Sequence, residues 1–346
     1  MSHTDRGVSV VIPTHNRAHM ILRAVHSALG AMGAEDEIIV VDDGSTDDTE
    51  ETLATVRDRI RYIRITQSGA GKARNVGIEH ASKPLIAFLD SDDAWLPFKL
   101  TLQRAVMFQH PDLVFCCSNF LLRMPDGDVA SYLEKWWTPR TRTAQVFGHG
   151  FPFRTPFSLA NSATACQLHL CDLYKAIMHD GIVCLITLMY RRDRAPDVRF
   201  PEDLPTYEDW EFSARLARRG LGAYLDCDTA INYGHDGPRL TDSHRFTCAT
   251  TRLKVMTRLW GSDPAFLSQH ELDYLKVRSD QCLEAATWLI RNGRSSEARD
   301  YLRQVSDAPL ATRALAMLPI SATAVALARR CVRVIRETLP QTRTRS

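Results

Sequence analysis

The 346 residues carry 43 Lys and Arg against 41 Asp and Glu, a formal net charge of +2, with 45% hydrophobic and 24% charged side chains. That balance describes an ordinary globular chain with ample core, long enough for about two domains, and it holds no aromatic-basic pattern of a nucleic-acid binder. The nine cysteines are scattered, with Cys116 and Cys117 adjacent and no C-x-x-C pair. That usage excludes a disulfide framework or zinc site and suits reduced, cytoplasmic thiols.

Met1 to Gly7 is short and polar, with no secretory signal, and runs straight into a β-branched strand from Val8 to Pro13. A turn, Pro13-Thr14-His15-Asn16-Arg17, leads into a helix over about Ala18 to Leu29. Glu37 to Val41 reads as the second strand. It ends in Asp42-Asp43-Gly44-Ser45-Thr46-Asp47, where Ser45 or Thr46 is expected to cap a helix running through Arg59. Arg61 to Ile65 is a third strand, and the Gly-rich loop Gln67 to Gly71 opens a helix around Lys72 to His80. The apolar run from Leu85 then ends in Asp90-Ser91-Asp92-Asp93.

Three acids within four residues repel one another unless a cation sits among them. Oxygen ligands without neighbouring Cys or His favour Mg²⁺ or Mn²⁺, completed by water and substrate phosphates. In open α/β sheets the carboxyl ends of the strands are where ligands gather. A plain Asp-rich turn capping the next helix is the competing account.

A helix from Pro97 to about Gln109 and a strand from Leu113 to Leu122 follow. Strands alternating with helices imply a mostly parallel, three-layer α/β sheet. Residues 125–180, with Trp136-Trp137 and a Phe-Pro-rich segment, show no clear period and suit binding loops. Ile182 to Tyr190 reads as a strand ending at Arg191-Arg192. Tyr207-Glu208-Asp209-Trp210-Glu211-Phe212 opens a helix through Arg219, stopped by Gly220. Leu221 to Tyr233 is strand-like, and from about Thr247 the chain reads helical.

Gly69-Ala70-Gly71-Lys72-Ala73 is not a P-loop: Thr66 stands where its first glycine belongs and Ala73 where its final hydroxyl does. No G-x-G-x-x-G follows the first strand either. Carboxylates at strand ends are the remaining means of holding a nucleotide, with Asp42 and Asp43 able to accept from a base or ribose.

Five elements in this order resemble the inverting family-2 glycosyltransferases of GT-A fold. They are VVIPTHNR from Val10, VVDDGSTD from Val40, GAGKARNVG from Gly69, FLDSDD from Phe88 and YEDWEF from Tyr207. With the segments between them they cover about residues 7–240. The resemblance implies a GT-A-like catalytic domain over 1–245, with nucleotide binding in 7–124 and the acceptor and base part in 125–245, and a helical extension over 246–346.

It further implies that Pro13, Thr14, Asn16 and Asp42, with Asp43 close by, hold a uridine. Lys72 and Arg74 then stand near the nucleotide, Asp90 and Ser91 contact the donor, and Asp92 binds the metal. Asp93 is an alternative metal ligand. Asp209 is implied as the base that deprotonates the acceptor hydroxyl, with Glu208 orienting it or raising its pKa. One base attacking opposite the leaving group means inversion. His235 is implied as a metal or phosphate ligand, and Arg239 as a phosphate contact from the same loop. Arg191 and Arg192 match a basic position whose role, structural or phosphate-directed, stays open.

The expected reaction is metal-dependent transfer from a nucleotide diphosphate sugar, UDP-linked, to a glycan or lipid-linked acceptor in surface polysaccharide biosynthesis. The alternatives are a non-catalytic sugar- or nucleotide-binding relative, and a nucleotidyltransferase, which would need a basic Gly-rich loop where Pro13-Thr14-His15-Asn16 stands. Ala314 to Ala328 is apolar but too short to span a bilayer, and it runs into an Arg-rich tail. That composition suits either peripheral contact with the inner face of the cytoplasmic membrane or a helical cap with a solvated basic face.

Overall fold

The computed structural model describes residues 7–124, 126–136, 143–153, 166–233, 245–305 and 309–317. Contacts divide the chain into two units, Met1–Leu204 with Glu208–Gly237, and Pro205–Tyr207 with Pro238–Ser346.

The first unit opens on β1 (Val8–Thr14), buried along its whole length, as a β-branched run covered on both faces of a sheet should be. Helix α1 (Ile21–Ala31) buries Ile21, Ala24, Val25, Ala28 and Ala31, the stripe that a 3.6-residue period lays on one face. Next come β2 (Glu37–Asp43), a short α2 (Thr49–Leu53) that tightens into a 3₁₀ turn over Ala54–Arg59, β3 (Arg61–Ile65) and α3 (Ala70–His80). Ser45 and Thr46 do not cap α2. The Ser45 hydroxyl instead accepts from the Asn16 amide at 2.9 Å, and Asp47 receives the Thr49 amide at 3.2 Å.

Helix α3 lies close on β1 because residue 77 is glycine: a Cβ there would strike the Val11 methyls. The chain continues through β4 (Leu85–Phe88), β5 (Ala94–Trp95), α4 (Lys99–Gln109), β6 (Phe115–Met124), β7 (Gly127–Val129), α5 (Thr143–Phe147), β8 (Phe151–Phe153), β9 (Cys166–Cys171) and α6 (Tyr174–His179). The unit closes with β10 (Met189–Arg191), α7 (Glu208–Ala217) and β11 (Gly222–Tyr233).

The strands form one sheet in the order β3-β2-β1-β4-β10-β6-β11-β9-β8, with β5 on β11 and β7 on β6. Strands β3, β2, β1 and β4 are mutually parallel, and β11 runs parallel to β6. Two findings depart from the sequence expectations. The strand expected over 182–190 is irregular apart from a 3₁₀ turn, Leu185–Thr187, and the start of the three-residue β10. And β10 enters antiparallel between β4 and β6, so the sheet is mixed at its centre. From β1 the chain steps first to β2 and β3 and then back across to β4. The reversal opens a crevice at the carboxyl ends of β1 and β4, where ligands of such sheets bind.

The second unit consists of α8 (Arg245–Arg258), α9 (Pro264–Arg291), α10 (Ser295–Leu302) and α11 (Leu310–Met317). Asp263 caps α9 by accepting the Phe266 amide at 3.1 Å, and Pro264 occupies the first turn, where its missing N–H costs nothing. Cys282, Ala286, Leu289, Ile290, Ala298 and Leu302 form its core. Among the described residues no helix is long and apolar enough to cross a membrane. Most of the apolar stretch 314–328, and all of the Arg-rich tail beyond 317, lie outside the described residues.

Candidate active site

The crevice is built from two braced loops. After β1, Asn16 takes a left-handed φ of 52, which Asn tolerates better than most residues. Its side-chain oxygen accepts the Thr46 amide at 2.7 Å, while His15 Nδ1 donates to the Asp43 carbonyl at 2.8 Å. Asp42 is fully buried, accepting the Ser45 amide at 2.8 Å and the Tyr62 hydroxyl at 2.6 Å. Burial and the Asp42 carboxylate push the Tyr62 pKa upward. Asp43 accepts the Ser68 and Gly69 amides at 2.6 and 2.8 Å, holding the loop that starts α3. Gly69 has φ 94, a conformation that favours glycine.

Asn16, Asp42 and Asp43 therefore hold the floor of the proposed nucleotide pocket in shape. Beside them, Thr14 is buried with a hydroxyl that has no hydrogen-bond partner among the described residues, and Pro13 is buried in β1. Tyr62 was not singled out from sequence. Only its place opposite Val40, next to Asp42 in the β2–β3 register, reveals it.

The acids after β4 part company. Asp93 turns inward, 2% exposed, accepting the Tyr233 amide at 2.9 Å and the Asn232 side chain at 3.1 Å. Burial, with Asp92 and Asp90 nearby, pushes its pKa well up. Asp93 thus pins the acidic loop to β11. Asp92 keeps 24% side-chain exposure, with Arg17 Nε 3.8 Å from its Oδ2. Arg23 donates to the Asp92 carbonyl and lies 3.7 Å over the Tyr233 ring. Ser91 is buried between these acids.

Among the described residues no three His, Cys, Asp or Glu side chains gather into a ready-made metal cage. A hard divalent ion fits here in another way. Mg²⁺ commonly takes one or two carboxylates and fills its shell with substrate phosphates and water, and Asp92 can supply such a carboxylate.

Arg74 and Asp90 lie one step deeper. Arg74 is 5% exposed on α3; its two terminal nitrogens donate to Asp90 Oδ1 at 2.8 Å and to Glu208 Oε1 at 2.9 Å. Burial pulls its pKa down, but Asp90 and Glu208 more than restore it. Asp90 is itself pushed up, by burial first and by Asp92 and Glu208, against the pull of Arg74.

Glu208 and Asp209 are the first residues of α7, where acids suit the helix dipole. Tyr207 before them has φ 65, uncommon for a bulky residue. Burial and Glu208 push the Asp209 carboxyl up to about 6, although Arg74 and the Trp210 amide pull the other way. A carboxyl so poised can hold or take a proton near neutrality, as a general base requires.

Other residues singled out from sequence lie elsewhere. Lys72 pairs with Glu202 at 3.3 Å. Arg191, opposite Leu85 at the start of β4 and so at the far end from Asp90, donates to the Met107 carbonyl at 2.6 Å; Arg192 donates to the Ala81 carbonyl at 2.5 Å. Both arginines thus hold backbone carbonyls. His235 and Arg239 lie outside the described residues.

A mixed sheet flanked by helices, with its acids gathered at the carboxyl ends of β2 and β4 and at the start of α7, defines a GT-A-like glycosyltransferase. Residues 9–167 match the model of glycosyl transferase family 2. The glycosyltransferase RP339 of Rickettsia prowazekii is 33% identical over 289 residues, 83% of this chain and 80% of its own. The chain belongs to glycosyltransferase family 2.

Escherichia coli WfgD, a UDP-Glc:α-D-GlcNAc-diphosphoundecaprenol β-1,3-glucosyltransferase, is 36% identical over 118 residues, 34% of this chain and 46% of its own. The match spans only 17% and 34% of the length of relatives from Rickettsia felis and Nostoc. In fold the chain is similar to TarS 1–349 of S. aureus in complex with UDP-GlcNAc, with a TM-score of 0.55, 18% identity, and 96% of this chain and 92% of the other covered.

Proposed function

We propose that this chain transfers one sugar from a UDP-linked donor to a hydroxyl of a glycan or lipid-linked acceptor, with inversion, and that residues 1–245 are its catalytic part. The observation that carries this reading is the poised carboxyl of Asp209, joined through Glu208 and Arg74 to Asp90 at the mouth of the nucleotide crevice. Asp209 accepts the acceptor proton as the oxygen attacks the anomeric carbon. With Asp209 as the one base, and the neighbouring Glu208 and Asp90 both engaged by Arg74, the displacement is direct and the anomeric configuration inverts.

In this reading Asp90 contacts the donor ribose and Thr14 bonds the nucleoside, a role supported by its buried hydroxyl having no partner among the described residues. A divalent ion held at Asp92 would supply Lewis-acid neutralisation of the departing diphosphate. Arg17 stands on the same side as a second cation toward that charge. Support for a UDP donor comes from WfgD, a UDP-glucose enzyme, and from TarS, which is bound to UDP-GlcNAc in the similar structure.

The test is UDP release from a panel of UDP-sugars with Mn²⁺ or Mg²⁺, because slow donor hydrolysis needs no known acceptor. Asp209→Asn should lower turnover about 10²–10⁴-fold, and Asp92→Ala should abolish the metal-dependent part. If calorimetry also finds no nucleotide bound by the wild type, the reading fails.

A further inference from the structure

We propose that Arg74 is a positioning residue that ties the base to the donor side of the site, rather than a contact to the nucleotide. The inference rests on the reading of Asp209 as base and Asp90 as donor contact. Arg74 is the fifth residue after Gly69, on the buried face of α3, with the Phe200 ring 5.3 Å from its guanidinium. Its two terminal nitrogens are engaged by carboxylates 16 residues after it and 134 residues after it in the chain. One carboxylate leaves the end of β4, the other is the first residue of the helix that carries the base.

A guanidinium can hold two such partners in a fixed plane, whereas a lysine at this position is a single point charge on a flexible stem. The fork therefore fixes how far the start of α7 stands from the acidic loop. Glu208 is neighbour to Asp209 in sequence and raises its proton affinity, while Arg74 opposes that effect. The charged and titratable groups facing Asp209 are Glu208, Arg74, Asp90 and the buried thiol of Cys184. Among these described residues Arg74 is the one cation. Without it, two acids beside the base lose their counter-charge together, and a change at Asp90 on donor binding no longer reaches Glu208.

The experiment measures metal-dependent UDP release against pH, and UDP affinity by calorimetry, for wild type, Arg74→Lys, Arg74→Gln and Glu208→Gln. Both Arg74 variants should lose at least tenfold in kcat, with UDP affinity within about twofold of wild type and the acid limb of kcat moved to higher pH, more so for glutamine. Glu208→Gln removes a negative neighbour and should move that limb the other way.

A tenfold loss of UDP affinity with an unmoved acid limb would make Arg74 a donor ligand and overturn the inference. Unchanged kcat in Arg74→Lys would overturn the need for a fork. Should the Arg74 variants fail to fold, Glu208→Gln decides: an acid limb that stays in place refutes the coupling. Asp209→Asn run alongside separates the two claims. Wild-type activity in that variant sinks the base itself, while its inactivity with silent Arg74 variants sinks only the positioning role.

Discussion

Lys99 offers a quantitative test of what a buried amine costs this fold. It is fully buried on α4, donates to Gln103 Oε1 at 2.5 Å and lies 4.4 Å over the Trp95 ring. Among the described residues no carboxylate pairs with it, and burial lowers its pKa from 10.5 to about 7. The folded pKa is thus depressed, and between those two values the unfolded state binds more protons than the folded one. Stability must rise with pH across that window, by up to about 1.4 kcal/mol per pH unit.

At pH 7 nearly the whole cost is present, with a ceiling on the order of 5 kcal/mol from a shift of about 3.5 units. Lys99→Met removes it, but leaves Gln103 Oε1 without its donor and loses the cation–π contact, together costing about 2–3 kcal/mol. The net expectation is stabilisation by about 2–3 kcal/mol, or roughly 5–10 °C in unfolding midpoint for a unit of this size.

The assay is urea unfolding of both proteins between pH 7 and 8.5. Higher pH is avoided because Cys116 and Cys171, their thiols each pushed up to about 12 by burial, impose the opposite trend once unfolded thiols ionise. If wild type and Lys99→Met share one pH slope, Lys99 is not a buried, near-neutral amine and the argument fails.

Turnover of a UDP-sugar should rise with pH through about 6 as Asp209 loses its proton, then level off; a flat profile from pH 5 to 7 would exclude Asp209 as the titrating base. Gly77→Ala drives a methyl into Val11 where α3 meets β1, and overpacking of that kind costs about 1–3 kcal/mol. Thermal unfolding should show the loss, and Gly77→Ala with Val11→Ala should be less destabilised than the two single losses added. Strict additivity would mean that the helix simply moves away.

Much of this architecture was legible because its signals are local. The β-branched run of β1, the buried stripe of α1 and the apolar run of β4 each announce themselves within ten residues, and the structure places each within a few residues of expectation. Where the outcome depended on distant partners, the sequence misled. Ile182 to Tyr190 has the composition of a strand, yet only Met189–Arg191 finds ladder partners, between β4 and β6. Ser45 and Thr46 looked like helix caps, but a neighbouring loop competes for Ser45 through the Asn16 amide.

The site follows the same logic at a finer scale. That acids stand after β2 and β4 and open α7 is written in the chain; what each acid does is not. Asp42, Asp43, Asp90 and Asp93 all read as ligands from sequence, since a carboxylate at a strand end is equally suited to a substrate or a backbone amide. Tertiary contact gives each a different partner: Asp43 accepts two amides, Asp93 is held by β11, Asp42 bonds Tyr62, and Asp90 is paired with an arginine while keeping its place at the donor side in the proposed reaction. The partner that decides Glu208 lies 134 residues away, on a helix whose own sequence suggested a nucleotide contact. A motif reports which chemistry is present, while the distribution of counter-charges, which sets the protonation state at which that chemistry runs, emerges only from the fold.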